Sequence, residues 1–461
     1  MKTIISNEIF IENPNEEIQK WCKKNLIYKN PDYIKKQRMG LWVGNTPRTF
    51  QMYKVTNRNY ILPFGVLRRI WNYIKKDEFE VRFKVKKIYP RSLITLYDYQ
   101  ETSVQKMLKA KNGVLISKAG SGKTQMMLEL ICRLGYKALW INNKKDLMQQ
   151  ALDRAKSNIV NCEFGTITEG KVNIGDITFS TIQTLSKIDL DALKDEFGII
   201  VCDEFQNFSG TPTKLTQAYK VLSKLSARFK FGCTACLHRS DGLMQAGLDL
   251  VGDVIYEIPD SEIADKIVRA SIQPIHTNFI PILSMGADGV VASFSSLINE
   301  ITCDEERNDL IVEDIRENKD NHCIVLSDRL LQLKLLKEKL GYGLMIDGSM
   351  VSKKGKEQRR EAIEKMKTGE EHVLFASYSL AKEGLDIPIL DRLFFASPKK
   401  DKSVIIQSVG RIERICEGKS TPIVYDYVDD YDENFTMLKN MFNSRKSIYK
   451  KNGNNFIERS E

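Results

Sequence analysis

Residues 117–124 read SKAGSGKT, and they join a short apolar run, VLIS at 114–117, to a helical pattern over 123–134. Glycines without a Cβ let backbone N–H groups approach a phosphate chain, and the following helix adds its positive N-terminal end. The lysine then reaches the β- and γ-phosphates, and the next hydroxyl binds Mg²⁺. The pattern predicts a site for ATP and Mg²⁺, although Ser117 stands where the full pattern has its first glycine. The candidate ligands are Lys118, Ala119, Gly120, Ser121, Gly122, Lys123, Thr124 and Gln125, with Thr124 on the metal.

A second acidic element follows about 80 residues after the phosphate-binding lysine. The apolar run GIIVC at 198–202 ends in Asp203 and Glu204, at the carboxyl edge where open α/β sheets bind ligands. Asp203 is predicted to hold Mg²⁺, and Glu204 is predicted to act as the base that positions the attacking water. An isolated pair of this kind is usually a polar turn, so the upstream loop is what makes it evidence for hydrolysis. Lys123, Asp203 and Glu204 are therefore the catalytic candidates of this half.

Short apolar runs alternate with longer helical patterns from Leu93 onward, which indicates parallel α/β units. Continuous apolar runs are typical of strands buried on both faces of a parallel sheet. The runs form two series, so we expect an α/β fold with two doubly wound sheets. The linker and the entry to the second domain are expected within about 255–300. The first series is 114–117, 138–141, 177–181, 198–204 and 229–235; the second is 322–327, 343–348, 373–377, 392–397 and 422–428.

Further motifs around the first sheet resemble those of superfamily 2 helicases, and the resemblance covers roughly residues 93–430. The pair Tyr99 and Gln100 is similar to the family's adenine-reading glutamine motif. The segment FSTIQTLSK at 179–187 resembles a motif that tracks a nucleic-acid strand, which implies contacts from Thr181 and Gln183. The segment GCTACLHRSDG at 232–242 resembles the motif that couples hydrolysis to movement, with Arg239 near the nucleic acid. The implied coupling residues are Gln206, Thr234, Ala235 and Cys236.

Two motifs of the second series extend the resemblance. SYSLAKEGLDIP at 377–388 resembles helicase motif V, which implies that Gly384 and Asp386 face the nucleotide. The same motif implies that Ser379 and Lys382 lie near the strand. QSVGRIER at 407–414 matches Q-x-x-G-R-x-x-R, and its two arginines lie about one helical turn apart, so both are expected on one face. Since a guanidinium from the opposite domain stabilises charge on the transferring phosphoryl group, the resemblance implies catalytic roles for Gln407, Arg411 and Arg414.

The motifs together imply a nucleic-acid-dependent ATPase with two tandem RecA-like parallel-sheet P-loop domains and a small basic N-terminal accessory domain. Closure of the cleft between the motor domains would couple hydrolysis to movement along a strand. Gln206 stands where the family has His or Asp, and Cys236 and Leu237 replace the Thr or Ser and the Pro of the coupling motif. We expect these departures to affect coupling more than hydrolysis. The predicted domains are a recognition domain (1–92), the ATP-binding motor domain (93–262), the C-terminal motor domain (275–435) and a basic tail (436–461).

Positive charge is concentrated in residues 1–95, which carry 20 Lys and Arg against 8 Asp and Glu. The whole chain has a net charge of +10, so the remainder is nearly neutral. Lysine and arginine give salt-dependent affinity for phosphates, and exposed aromatic rings stack on unpaired bases. For any single aromatic residue, a place in the module's own core is the more common outcome. We expect nucleic-acid contacts from Arg38, Arg48, Arg68 and Arg69, among which lie Trp42, Phe50, Tyr53, Tyr60 and Trp71.

A compact basic module before the motor resembles the recognition module of phage recombination helicases of the UvsW type and of their XPB-like relatives. That resemblance implies a DNA helicase or translocase that remodels branched DNA by junction branch migration, fork reversal and R-loop unwinding. The expected partner is single-stranded, duplex or branched DNA, with RNA possible in hybrids. Two alternatives stay open: an RNA helicase, because the motor motifs contact mostly sugar and phosphate, and an ATP-gated motor subunit of a restriction or defence complex.

Other classes are disfavoured by composition. No apolar run approaches the roughly 18 residues of a membrane span, and Glu8 interrupts the N-terminus before a signal sequence develops. The nine cysteines lie mostly within apolar runs, which suits reduced thiols in the cytoplasm, that of a bacterial host if the protein is phage-encoded. Cys233 and Cys236 have the spacing of half a zinc site, but no second pair follows, so no zinc is expected. We expect a monomer.

Overall fold

The computed structural model describes residues 2–76, 78–118, 120–168, 170–210, 216–237, 243–263, 268–282, 293–350, 352–382, 385, 387–430 and 436–459. The chain divides into two compact units, residues 1–118 with 122–262 and residues 119–121 with 263–461. Within the described ranges, no helix is both long and apolar enough to cross a bilayer. Four predicted site residues lie outside those ranges, namely Ala119, Arg239, Gly384 and Asp386. The side chain of Lys382, another predicted site residue, is also outside the described part of the chain.

The basic module at the start of the first unit is a mixed sheet covered by helices. Its elements are β1 (Lys2–Ile5), β2 (Glu8–Ile11), α1 (Glu16–Asn25), β3 (Ile27–Lys29), α2 (Pro31–Arg38), β4 (Thr49–Gln51), β5 (Lys54–Thr56), β6 (Asn59–Pro63), α3 (Leu67–Ile74) and β7 (Glu78–Val81). Five strands form a sheet in the order β5-β6-β2-β1-β7, and β3 and β4 form a separate antiparallel pair. Alternate side chains of β2 are buried, as expected for a sheet with one face on a core.

The rest of the first unit is an eight-stranded sheet flanked by helices. Its elements are β8 (Arg91–Ser92), α4 (Asp98–Ala110), β9 (Asn112–Ile116), α5 (Lys123–Leu134), β10 (Ala138–Asn142), α6 (Lys145–Asn158), β11 (Ile159–Val160), β12 (Phe164–Thr168), β13 (Lys171–Asn173), β14 (Ile177–Thr181), α7 (Ile182–Leu185), β15 (Ile199–Asp203), α8 (Gln217–Leu222), β16 (Phe229–Thr234), α9 (Met244–Val251), β17 (Val254–Glu257) and α10 (Asp260–Ile263). Eight of these strands form one sheet in the order β13-β12-β14-β10-β15-β16-β9-β17, in which every pairing except β12 with β13 is parallel. Strands β8 and β11 form a separate antiparallel pair. The strands β10, β14, β15 and β16 are buried throughout, which confirms the predicted parallel α/β fold.

The basic module and the first motor domain share one hydrophobic core. Buried side chains of the module, such as Leu62 and Ile70, belong to the same cluster as Leu139 and Val251 of the motor domain. Gly65 lies so close to α9 that a Cβ there would be 2.4 Å from the Leu248 carbonyl oxygen. Only glycine permits this backbone-to-backbone approach. Residues 2–76 are therefore packed on the motor domain as part of one unit.

The second unit is a six-stranded parallel sheet. Its elements are β18 (Ser271–His276), α11 (Phe294–Cys303), α12 (Glu305–Glu317), β19 (Cys323–Ser327), α13 (Leu330–Leu340), β20 (Leu344–Ile346), α14 (Lys353–Thr368), β21 (Val373–Ser377), α15 (Tyr378–Lys382), β22 (Arg392–Phe395), α16 (Lys402–Ile412), β23 (Ile423–Val428) and α17 (Thr436–Asn452). The order is β18-β23-β22-β19-β21-β20, all parallel. Strand β18 begins at residue 271, so the second sheet starts before the predicted domain limit of 275, within the segment expected to hold the linker and the entry to the second domain. Its internal Pro274 hid it from the sequence pattern, because proline is tolerated in strands mainly at a sheet edge, where β18 lies.

The segment predicted as a basic tail contains a long helix in the part that the structure describes. Residues 436–452 form the 17-residue helix α17, which packs on the second sheet. The guanidinium of Arg445 is buried and pairs with Asp426 of β23 at 2.8 Å, and the Tyr449 hydroxyl donates to the same carboxylate at 2.8 Å. A lysine- and arginine-rich segment looks solvated in sequence, whereas here a buried counter-charge on a strand holds it.

Candidate functional site

The phosphate-binding loop has the backbone conformation that its glycines were expected to allow. Gly120 and Gly122 have φ of +83° and +80°, in the left-handed region, and Gly122 is the N-cap of α5. A Cβ on Gly122 would lie 2.3 Å from Nε2 of Gln100, so this position needs glycine for space as well as for φ. The Lys123 ammonium donates to the carbonyl oxygens of Ser117 and Lys118, each at 3.1 Å, and so folds back over the loop. A concave loop with a cation above it suits a phosphate chain.

The glutamine predicted to read adenine is held beside this loop. Gln100 lies in the first turn of α4, is buried, and accepts a hydrogen bond from the Tyr97 N–H at 3.0 Å. Its Nε2 donates to the Tyr99 hydroxyl at 3.3 Å. The amide is thereby oriented against Gly122, which brings together two parts of the predicted nucleotide site. Of the other predicted ligands, Thr124 and Gln125 lie in the first turn of α5, and Lys118 pairs with Asp260 at 2.6 Å.

Asp203, the predicted metal ligand, ends β15 and is held by the two strands beside it. Its Oδ2 accepts from Nδ2 of Asn142 at 3.0 Å, and its Oδ1 accepts from the Cys233 thiol at 3.2 Å and the Glu204 N–H at 3.0 Å. Burial raises the pKa of Asp203, and the neighbouring Glu204 carboxylate raises it further. Burial and the Asp203 charge also raise the pKa of Cys233, so its thiol keeps the proton that it donates.

These surroundings fit a divalent cation, because Mg²⁺ prefers oxygen ligands and would offset the charge of a buried carboxylate. Asn142 supports this, since its buried Oδ1 has no hydrogen-bond partner among the residues that the structure describes. Asp203 and Thr124 are the residues that would hold the ion. Asn142 and Cys233 were missed in the sequence. Both lie at or next to the carboxyl end of a strand adjacent to β15, and this position is the signal by which the sequence pattern could have identified them.

A hydrogen-bonded chain runs from Glu204 to the coupling motif. Glu204 has a left-handed backbone, φ +54°, which is strained for a residue with a side chain. Its Oε2 accepts from Nε2 of Gln206 at 2.7 Å, and Oε1 of Gln206 accepts from the Thr234 hydroxyl at 2.6 Å. The Cys236 N–H donates back to the Thr234 hydroxyl at 3.1 Å, around Ala235. Gln206 therefore bridges the hydrolytic and coupling motifs, in place of the His or Asp that the resemblance led us to expect.

The two residues predicted to track a strand in the first unit have different surroundings. The Thr181 side chain is buried and caps α7 by accepting from the Thr184 N–H at 3.3 Å, so its hydroxyl is already used within the protein. Gln183 is exposed, and its amide donates to the Asn143 carbonyl oxygen at 2.8 Å. We keep Gln183 as a candidate contact and reassign Thr181 to helix capping.

In the second unit, the arginine motif lies at the end of α16. Gln407 is buried on that helix, and Arg411 donates to the carbonyl oxygens of Ala381 and Leu385 at 3.0 and 3.1 Å. Arg411 thus fixes the motif V segment against α16. The helix ends at residue 412, so Arg414 lies beyond it, and the expectation that both arginines share one helical face is wrong. Ser379, in α15, is exposed, and its hydroxyl lies 2.9 Å from that of Ser377.

The four arginines of the basic module that were predicted to contact nucleic acid differ in their exposure and partners. Arg38, Arg48 and Arg68 are exposed. Arg69 instead pairs with the buried carboxylate of Asp249, and with Asp253 at 3.2 Å, both in the motor domain. We therefore remove Arg69 from the nucleic-acid set, since its charge is used between module and motor. Among the aromatic residues, Phe50, Tyr53 and Tyr60 are buried, whereas Trp42 and Trp71 are exposed.

Two family models match the chain in order. The model described as type III restriction enzyme, res subunit, matches residues 93–239, and the helicase conserved C-terminal domain matches residues 306–416. The first match contains the phosphate-binding loop and Asp203, and the second contains Arg411 and Arg414.

Three relatives carry helicase or translocase names. The putative ATP-dependent RNA helicase L396 of Acanthamoeba polyphaga mimivirus is 28% identical over 77% of this chain and 68% of that protein. The probable helicase D10 of Escherichia phage T5 is 24% identical over 98% of this chain and 95% of its own length. The DNA 3'-5' translocase XPB2 of Sulfurisphaera tokodaii is 23% identical over 75% of this chain and 86% of that protein.

Two solved structures have the same fold at low sequence identity. The type ISP restriction-modification enzyme LlaBIII bound to DNA aligns over 82% of this chain and 32% of that chain, with 16% identity and a TM-score of 0.56. Dbp5 of S. cerevisiae bound to RNA and ADP BeF3 aligns over 86% of this chain and 94% of that chain, with 15% identity and a TM-score of 0.54. The two family models match in order on the two parallel-sheet units, and helicases are among the relatives that align along nearly the whole chain. The chain therefore belongs to the superfamily 2 helicases and is an ATP-dependent enzyme that acts on nucleic acid.

Proposed function

We propose that this helicase acts on DNA, and that it remodels branched DNA by junction branch migration, fork reversal and R-loop unwinding. The observation that carries the proposal is the basic module built onto the first motor domain. The module exposes Arg38, Arg48 and Arg68 and shares a hydrophobic core with the motor. A DNA arm held by such a module would move with the motor domain as one body, which is what remodelling a junction requires.

The proposed chemistry is hydrolysis of ATP at the first unit. Lys123 neutralises charge on the β- and γ-phosphates, and Asp203 and Thr124 hold Mg²⁺. Glu204 orients the attacking water and accepts its proton. Gln206 links that carboxylate to Thr234 through hydrogen bonds, so that the protonation of Glu204 affects the coupling motif. Arg411 and Arg414 are proposed to supply positive charge from the second motor domain.

An RNA helicase is the second candidate. It is favoured by the name of the mimivirus relative, an RNA helicase, whereas the archaeal relative is named as a DNA translocase. The motor motifs contact mostly sugar and phosphate, so they do not separate the two. We favour DNA because the basic module precedes the motor, as expected from its resemblance to phage branch-migration enzymes.

The test is the steady-state ATPase rate with no nucleic acid, single-stranded DNA, duplex DNA, a four-way junction and RNA at matched salt. We expect strong stimulation by DNA, largest with the junction. Stimulation by RNA alone would replace the proposal with the RNA helicase. No stimulation by any of them would indicate a motor subunit that needs a partner protein. Sedimentation of the same sample tests the proposed monomer.

A further inference from the structure

A loop of the basic module exposes a group of apolar side chains. Residues 39–48 join α2 to β4, and β4, which follows the loop, pairs with β3. Within this loop Met39 is 61%, Leu41 54% and Trp42 86% exposed. Exposed apolar groups of this size are unfavourable in water and commonly mark a binding surface.

The loop is held in place at several points. The Asn30 N–H donates to the Arg48 carbonyl oxygen at 2.9 Å, and the Asn30 amide donates to the Pro47 carbonyl oxygen at 2.7 Å. The Lys36 ammonium donates to the Thr46 hydroxyl at 2.8 Å, which joins α2 to the far side of the loop. A braced loop loses little conformational entropy when it binds a ligand.

The indole of Trp42 rests on the loop's own backbone. Gly44 has φ of +49°, and a Cβ there would lie 2.7 Å from Cζ3 of the Trp42 ring. One part of the ring is therefore supported by Gly44, and its 86% exposure leaves the remainder open to solvent. A supported, open aromatic face is the arrangement on which a nucleobase stacks.

The charged residues along this stretch of the chain are all basic. Lys35 and Arg38 precede the apolar group and Arg48 follows it, and all three are exposed. The sequence contains no Asp or Glu between Asp32 and Asp77. Positive charge beside an open aromatic ring is complementary to an unpaired nucleotide, which offers a phosphate and a base face together.

We propose that Trp42 stacks on an unpaired base at a DNA branch point, where duplex passes into single strand, with Arg38 and Arg48 on the flanking phosphates. A continuous duplex offers no open base face, so this contact selects forks and junctions. The inference rests on the proposed function, because it assumes a DNA substrate.

The test compares the full-length wild type with the Trp42→Ala, Trp42→Phe and Tyr89→Ala variants. Tyr89 is the matched control, since it is an aromatic residue outside the loop and is 82% exposed. Each protein is titrated by fluorescence anisotropy against a forked DNA and a blunt duplex of equal length, over a series of salt concentrations. We expect Trp42→Ala to bind the fork about 5- to 150-fold more weakly, with Trp42→Phe close to wild type and Tyr89→Ala unchanged.

The salt dependence separates stacking from a general loss of the basic surface. Removing an uncharged ring should leave the slope of log affinity against log salt concentration unchanged, whereas the paired Arg38→Ala and Arg48→Ala variant should lower it by about one to two units. A parallel fall of the slope in Trp42→Ala would overturn the proposal, since the ring would then only organise the cations. Fork affinity of Trp42→Ala within twofold of wild type, or equal losses in Tyr89→Ala, would also overturn it.

Failure of the proposed function has a different signature. If the wild type itself binds no DNA and its ATPase responds only to RNA, both the proposed function and this inference are overturned. If the wild type prefers forked DNA and Trp42→Ala keeps that preference, only the inference fails. An additional readout is a 2-aminopurine base at the branch point, which should fluoresce less in the wild-type complex than in the saturated Trp42→Ala complex.

Discussion

The ion pair between the basic module and the motor domain can be tested by removing one charge. The Asp249 carboxylate on α9 is fully buried, and it accepts from Arg69 and, at 2.7 Å, from the Tyr28 hydroxyl. Burial raises the pKa of Asp249, and Arg69 offsets that rise only in part. The Arg69→Met variant keeps an unbranched apolar side chain but leaves this carboxylate without its nearest counter-charge.

The magnitude follows from the burial of the two partners. Removing one partner of a buried ion pair costs about 3–5 kcal/mol. Because the Arg69 side chain is 24% exposed and water screens it in part, we expect the lower end, about 3 kcal/mol. That corresponds to an equilibrium constant for local opening of the contact between α3 and α9 that is about 150-fold larger.

Hydrogen exchange with mass spectrometry on the α3 and α9 peptides measures this opening directly. Arg68→Met is the matched control, because Arg68 is the exposed neighbour, and it should leave exchange unchanged. Arg69→Met combined with Asp249→Asn removes the buried charge and should recover most of the protection. Exchange within threefold of wild type in Arg69→Met, or no recovery in the double variant, would refute the reasoning.

The same variant has a predicted pH dependence. A carboxyl group whose folded pKa is raised stabilises the fold at low pH and loses that contribution as the pH rises through the folded pKa. The penalty in Arg69→Met should therefore fade toward acidic pH, where Asp249 is protonated, and become constant once the pH exceeds the folded pKa of Asp249.

Three further outcomes are expected. Lys123→Ala and Glu204→Gln should each abolish ATP turnover while nucleic-acid binding persists, and turnover at the wild-type rate in either would contradict the site. Gln206→Ala should lower nucleic-acid-stimulated kcat by about 10- to 100-fold, because a hydrogen bond to a charged group is lost, and Gln206→Glu should be worse because it places a second carboxylate beside Glu204. Burial lowers the pKa of Lys230 to about 8, so the folded state releases this proton before the unfolded chain does. The stability of the wild type should therefore increase relative to that of Lys230→Met as the pH rises above about 8. Melting temperatures of the two proteins that change in parallel with pH would contradict this prediction.

Much of the fold follows from local sequence patterns. The phosphate-binding loop, the strand ending in Asp203 and the two series of apolar runs are contiguous segments, so their conformation depends mainly on neighbouring residues. The predicted parallel sheets and the order of the two helicase domains are confirmed for this reason. The edge strand β18 was missed, since Pro274 interrupts its pattern.

The partners of the site residues were decided by tertiary structure. Asp203 meets Asn142 from 61 residues away and Cys233 from 30 residues away, and Arg69 meets Asp249 across 180 residues. The same holds for exposure, because Tyr53 is buried while Trp42, of the same aromatic character, is open. A side chain's local sequence sets what it can bind, whereas the path of the distant chain decides which groups come within hydrogen-bond distance and which surfaces lose contact with water. The motifs can therefore be identified from the sequence, whereas the charge balance and solvent accessibility that make them a site are set only in the folded chain.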